Sequence, residues 1–188
     1  MESATRRVRY QVAASLDGFI TDTKGTPDWI VMDPDIDFDG LFAQFDTFLM
    51  GRRTYEEMPA GSISGKVLVF SRTLRQQDHP KVTIVNDHAR ETVQALKREP
   101  GKDIWLFGGG ELFRSLLELG VVDSVELAII PVLLGGGTPL LAAPAPQNRL
   151  SLSRHYVYPK SGIVMLEYAV EKKKAREKSR AREVSQEA

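Results

Sequence analysis

The 188-residue chain has no cysteine, which excludes disulfides, a thiolate nucleophile and cysteine-ligated zinc. Its three histidines, His79, His88 and His155, are scattered without metal-ligand spacing, so no metal site is expected. Twenty-five basic residues balance 25 acidic ones, and no excess of positive charge points to a nucleic-acid partner. No stretch reaches the roughly 18 consecutive apolar residues that a membrane helix needs, so no membrane partner is expected either. Residues 1–7 lead straight into a strand pattern with no apolar signal region, which predicts a cytoplasmic protein. Internal repeats are lacking.

What is present is the composition of a soluble globular chain, 42% hydrophobic and 27% charged. Its length suits one domain, which buries roughly 70% of the unfolded surface. That domain is expected over residues 1–170. From residue 171 to 188 lysine, arginine and glutamate alternate with almost nothing to bury, which predicts a charged tail, frayed or disordered.

Val8–Ser15 is rich in strand formers, and Leu16-Asp17-Gly18 breaks it before a short apolar piece, Phe19-Ile20. Four aspartates, Asp33, Asp35, Asp37 and Asp39, alternate ahead of Phe38, Leu41, Phe42 and Phe45, which recur at helical spacing. Residues 47–50 predict a strand that runs into Gly51-Arg52-Arg53-Thr54 and a helix. Lys66–Phe70 predicts another strand, ending on Ser71-Arg72. A strand at 82–85 precedes a helix at 91–98, and a strand at 103–107 runs into Gly108-Gly109-Gly110 and a helix from Glu111 and Leu112 onward. Ser124–Ile130 and segments near 150–158 and 162–170 complete the strands, with a glycine-rich loop at 131–137. Strands alternating with helices predict an α/β fold with a mostly parallel sheet covered on both faces, and the consecutive final strands predict an antiparallel edge.

The triple glycine admits two readings. Bare amides at a helix start can cradle a phosphate, and glycine is also what a tight strand-to-helix turn needs. Two further strand ends carry phosphate-suited groups, Gly51 to Thr54 and Ser71-Arg72. Ligands of open α/β sheets bind outside the carboxyl ends of the strands, so three such ends can converge on one anion-rich ligand. Arginine offers a planar fork to phosphate. The two common nucleotide motifs fail, because the first turn holds only Gly18 and because Gly110 is followed by Glu111-Leu112 rather than lysine and a hydroxyl residue.

In series, Val12-Ala13-Ala14-Ser15-Leu16-Asp17-Gly18, Asp28-Trp29, Met50-Gly51-Arg52-Arg53-Thr54-Tyr55, Phe70-Ser71-Arg72-Thr73-Leu74, Phe107-Gly108-Gly109-Gly110-Glu111-Leu112 and Pro131-Val132-Leu133-Leu134-Gly135 resemble the dihydrofolate reductase-like superfamily. The chain is most similar to its branch containing the reductase domain of bifunctional riboflavin biosynthesis proteins, as a stand-alone member, over roughly residues 7–170. The resemblance implies a three-layer fold and an NADPH-dependent reductase. Its substrate class would be pterin- or aminopyrimidine-like, of the 5-amino-6-(5-phosphoribosylamino)uracil or dihydrofolate type.

By the same resemblance the Gly51–Thr54 and Gly108–Gly110 turns, with Glu111 and Leu112, would hold the pyrophosphate. Arg52, Arg53, Ser71 and Arg72 would take the adenosine side and its 2′-phosphate. Ala13, Ala14 and Phe107 would lie beside the nicotinamide, and Trp29 over the substrate, although a core tryptophan explains Trp29 equally. A carboxylic acid is expected to relay the proton: Asp35 by counting back from Gly51, or Asp17, while a helix-starting acidic run explains Asp33 to Asp39 without catalysis. A homodimer is implied as well. The alternative is a non-catalytic NADPH-binding or assembly module on the same fold.

Overall fold

Residues 5–58 and 61–171 are described in a computed structural model; the charged tail expected at 171–188 lies outside the described residues from 172 onward. The first strand, β1 (Val8–Ser15), sets the architecture. Its residues alternate faces, yet both faces are buried over the first half, as a central strand of a parallel sheet requires.

A short strand β2 (Phe19–Thr21) and a one-turn helix α1 (Phe38–Phe42) follow, then β3 (Phe45–Gly51), α2 (Arg52–Glu57), β4 (Lys66–Phe70) and β5 (Thr83–Val85). The chain continues through α3 (Ala89–Arg98), β6 (Asp103–Gly108), α4 (Gly110–Glu118), β7 (Ser124–Ile130), β8 (Thr138–Pro139), β9 (Leu150–Val157) and β10 (Val164–Val170). The main sheet has the order β5-β4-β3-β6-β1-β7-β10-β9. From β5 to β7 every neighbouring pair is parallel, while β10 pairs antiparallel with β7 and β9, giving the expected antiparallel C-terminal edge.

Helices cover both faces. Val8, Tyr10, Leu49, Ile104 and Leu106 pack with Val93 and Leu96 of α3 and Phe113, Leu116 and Leu117 of α4. On the opposite face Phe45, Phe48, Met50, Val69 and Trp105 pack with Leu41 of α1 and Tyr55 of α2. Farther along that face lies a buried ion pair: Arg9 donates from Nε and Nη2 to the two carboxylate oxygens of Glu126, at 2.7 and 2.6 Å. None of the helices among the described residues is long and apolar enough to cross a membrane.

β2 and β8 form a separate two-stranded sheet that the sequence pattern did not predict. Strands of three and two residues are too short to carry a period. The acidic stretch resolves into local roles. Asp37 caps α1, accepting from the Gly40 amide at 2.8 Å. Asp33 is buried and accepts from the amides of Asp35 and Ser161, fastening this loop to the β9–β10 hairpin.

These bonds have a pH consequence. Hydrogen bonds from Ser161 and from the Asp35 amide hold the Asp33 carboxyl below its ordinary range. Burial pushes Asp103 upward, but hydrogen bonds and charge from Arg7, with Arg9, outweigh it and leave that carboxyl lowered too. A carboxylate lowered in the folded state contributes stability above the unfolded value near ~3.9, and loses it as pH falls through the folded value. The urea midpoint is therefore expected to hold from neutral pH to about pH 5 and to drop below about pH 4. Asp33→Asn should be less stable at neutral pH and show a shallower acid decline; an unchanged acid profile would refute the assignment.

Candidate functional site

Because β4, β3 and β6 are adjacent and parallel, their carboxyl ends open side by side on one edge of the sheet. The three phosphate-suited turns found in sequence follow these ends. Together they line a cavity of about 860 Å³, whose walls include Gly51, Arg52, Arg53, Thr54, Ser71, Arg72, Gly109, Gly110, Glu111 and Leu112. Ile20, Thr21 and Thr138 of the small sheet close it from the other side. The turns after β3 and β6 also abut each other: a Cβ placed on Gly51 would lie 3.8 Å from the Gly108 carbonyl oxygen.

The three glycines differ in what demands them. Gly108 has φ +127°, a conformation open to glycine. A Cβ on Gly109 would meet only Ile20 and Thr54 side chains at 3.8 and 3.9 Å, so its face borders the cavity. A Cβ on Gly110 would approach the Pro139 carbonyl oxygen to 2.5 Å, so here it is the passing backbone of the small sheet that excludes a side chain. The two readings of the triple glycine thus hold at different positions of the same turn.

The cations divide similarly. Arg52 is spent on Glu56, one helical turn away, at 3.0 Å. Arg53 and Arg72 make no hydrogen bond or ion pair among the described residues and project as free guanidinium groups at the cavity wall. The Ser71 hydroxyl accepts from the amides of Thr73 and Leu74, so it shapes the turn that presents Arg72. Asn86 braces the same turn, donating to the carbonyls of Ser71 and Leu74. Acidic groups on the wall are Glu57, Asp87 and Glu111, and Arg114 lines it too.

A second cavity of about 380 Å³ is lined by Phe42, Thr54, Glu57, Met58, Ser62, Ile63 and Phe107, and shares Thr54 and Glu57 with the first. Phe107 thus lies at this second cavity. Trp105 stands between its aromatic walls, with ring centroids 5.0 Å from Phe42 and 5.3 Å from Phe107.

Six residues singled out in sequence, Ala13, Ala14, Asp17, Trp29, Asp35 and Gly108, line neither cavity. Ala13 and Ala14 lie within β1, Ala14 fully buried. Trp29 is half-buried, and its indole N–H is enclosed without a partner among the described residues. Asp17 is tied down: its carboxylate accepts from Ser15 Oγ at 2.6 Å and from the amides of Leu134 and Gly135, which holds it low and joins the β1 turn to the 131–137 loop. Asp35, the counted-back proton donor, likewise lines neither cavity and accepts from Lys160 at 2.8 Å.

Sequence reasoning passed over Glu57, Met58, Asn86 and Arg114. A signal existed for one of them, since Thr54 in the first turn of α2 places Glu57, three residues on, along the same helical face, whereas Met58 lies just past the helix end in extended conformation.

Comparison with known proteins agrees with the fold. The family model described as the RibD C-terminal domain matches residues 6–164. YyaP of Bacillus subtilis (strain 168) is 36% identical over 179 residues, covering 87% of this chain and 94% of that protein. A Shewanella sp. PV-4 protein assigned to riboflavin biosynthesis superposes with a TM-score of 0.75 at 24% identity, covering 88% of this chain and 99% of that one. The Thermotoga maritima diaminohydroxyphosphoribosylaminopyrimidine deaminase/5-amino-6-(5-phosphoribosylamino)uracil reductase gives a TM-score of 0.68 at 16% identity, with 88% of this chain against 57% of that larger one. The shared architecture is the dihydrofolate reductase-like three-layer fold.

Proposed function

Because the chain belongs to the RibD C-terminal domain family, we propose that it is an NADPH-dependent reductase acting on a C=N or imine-like bond of a pterin- or aminopyrimidine-like heterocycle. The supporting observation is the convergence of the Gly51, Ser71-Arg72 and Gly109 turns on one cavity with two unspent arginines. The donor set suits the cofactor. Amides at the start of α4 suit a pyrophosphate, and Arg53 and Arg72 suit the additional 2′-phosphate. NADPH supplies the hydride; the protein orients the reactants and keeps water away.

Equilibrium titration followed by nucleotide fluorescence tests the reading. NADPH is expected to bind at least about tenfold more tightly than NADH, since one charge-assisted phosphate contact contributes about 1.5–3 kcal/mol. Equal affinities would count against it. The non-catalytic alternative draws on Asp17 and Asp35 lining neither cavity. It predicts NADPH binding without NADPH oxidation across a panel of pterins and aminopyrimidines.

The homodimer is proposed on the β9 edge. All eight residues of β9 are exposed, Leu150, Leu152, Tyr156 and Val157 among them, an apolar edge suited to a second copy. Leu152→Asp is expected to halve the mass seen by sedimentation; an unchanged mass, dimeric or monomeric, would rule this surface out.

A further inference from the structure

We propose that Tyr55 and His79 are positioning residues: the hydrogen bond between them fixes α2 against the turn after β4, and so sets Arg53 and Arg72 at the spacing that grips the extra phosphate of the nucleotide. The effect on NADPH rests on the cofactor reading above; the brace itself can also be measured with a simple anion.

The two arms of the larger cavity come from different parts of the chain. α2 brings Arg52, Arg53 and Thr54 to its wall, and the turn after β4 brings Ser71, Arg72 and Thr73. α2 has only six residues and no side-chain cap at Gly51. A helix so short takes its geometry from tertiary contacts rather than from its own bonds. The segment from Ser71 to Val85 is instead bonded within itself and by Asn86. Asn86 donates to the carbonyls of Ser71 and Leu74, and the Ser71 amide donates to the Val85 carbonyl. Gln76 donates to the carbonyls of His79 and Val82 and accepts from the Ile84 amide. Whatever anchors His79 therefore anchors this block, Arg72 included.

Tyr55 reaches across to it. Its hydroxyl lies 3.1 Å from His79 Nδ1 and donates to it in the tautomer protonated at Nε2, while the two rings meet edge-on with centroids 5.4 Å apart. Among the described residues no other hydrogen bond joins α2 to the block. Tyr55, Leu74 and Val82 also pack against one apolar cluster, but burial is non-directional and leaves a short helix free to turn about its axis. The hydrogen bond supplies the missing direction.

The test compares NADPH and NADH titrations of the full chain, with inorganic pyrophosphate as a second probe and circular dichroism confirming that each variant folds. Tyr55→Phe keeps the ring in the core and removes only the hydroxyl. It is expected to lower NADPH affinity at least about fivefold and to leave NADH affinity within about twofold of the parent. His79→Leu should do the same, and His79→Asn, whose amide oxygen can take the place of Nδ1, should restore the parent's preference. In an Arg72→Ala background Tyr55→Phe should have no further effect, because the brace acts through Arg72, whereas a general loosening of the fold would add its loss there too. The proposal is overturned if Tyr55→Phe keeps the parent's NADPH-to-NADH ratio, if it lowers both affinities equally, or if its loss persists in full beside Arg72→Ala. Should the parent not distinguish NADPH from NADH, the cofactor reading fails by itself and pyrophosphate decides the brace: weakening of at least about fivefold in Tyr55→Phe keeps it, and equal or absent binding ends it.

Discussion

Replacing Glu126 with alanine is expected to destabilise the protein by about 3–5 kcal/mol, the range found when one member of a buried ion pair is removed. The side chains of Arg9 and Glu126 are 8% and 4% exposed, so neither charge is screened by water. Their contact is two-pronged, and Ser124 Oγ adds a third hydrogen bond to Glu126 at 2.8 Å. Burial by itself would lower the basicity of Arg9, but bonding and charge from Glu126, with Asp103, raise it instead. In the alanine variant the guanidinium keeps only Gln44 at 2.8 Å, Asp103 at 3.4 Å and the Phe45 ring at 4.6 Å.

A double replacement, Arg9→Met with Glu126→Leu, removes both charges at once and should cost much less than the single change, because no orphaned ion remains. Urea denaturation of the parent, Glu126→Ala and the double variant measures this. A loss below about 1 kcal/mol in Glu126→Ala would place the pair among weak surface bridges and refute the argument. The pair also bears on the fold. Arg9 lies opposite Ser124 in the β1–β7 register, so a slip of one residue would turn Arg9 and Glu126 to opposite faces.

Long periodic segments were legible in the sequence. Lys66–Phe70 and Ser124–Ile130 have the bounds expected of them, the helix after Gly51 begins at Arg52, and the helix after the triple glycine begins at Gly110, one residue before the expected Glu111. What lay beyond reach was adjacency. Nothing in chain order says that β6 inserts between β3 and β1, yet this insertion brings the Gly51 and Gly108 turns into contact. The alternating aspartates show the opposite difficulty, since capping, loop fastening and catalysis all call for the same carboxylate. Only geometry separates Asp37 at the α1 cap from Asp33 on Ser161. Gly110 was similarly ambiguous, its requirement arising from Pro139, 29 positions away in sequence and supplied by a strand too short to detect.

Arg72→Ala is expected to weaken NADPH binding about 10- to 100-fold while changing NADH affinity little, so that the preference between the two nucleotides collapses. Arg72 follows β4 on a turn held by the Ser71 hydroxyl and the Asn86 amide, and its guanidinium is exposed at the cavity wall without a partner among the described residues. Removing it therefore leaves no buried group unsatisfied, and the unfolding midpoint should stay within about 0.5 kcal/mol of the parent. That separation of binding from stability distinguishes a ligand contact from a structural charge. Arg52 provides the internal control: it lines the same cavity but is already paired with Glu56, so Arg52→Ala should cost less nucleotide-dependent affinity. Raising the salt concentration should erode the NADPH advantage of the parent and have little effect on Arg72→Ala, because screening acts on the charge that the substitution removes. Equal losses for NADPH and NADH, or no loss for either, would show that Arg72 does not read the 2′-phosphate.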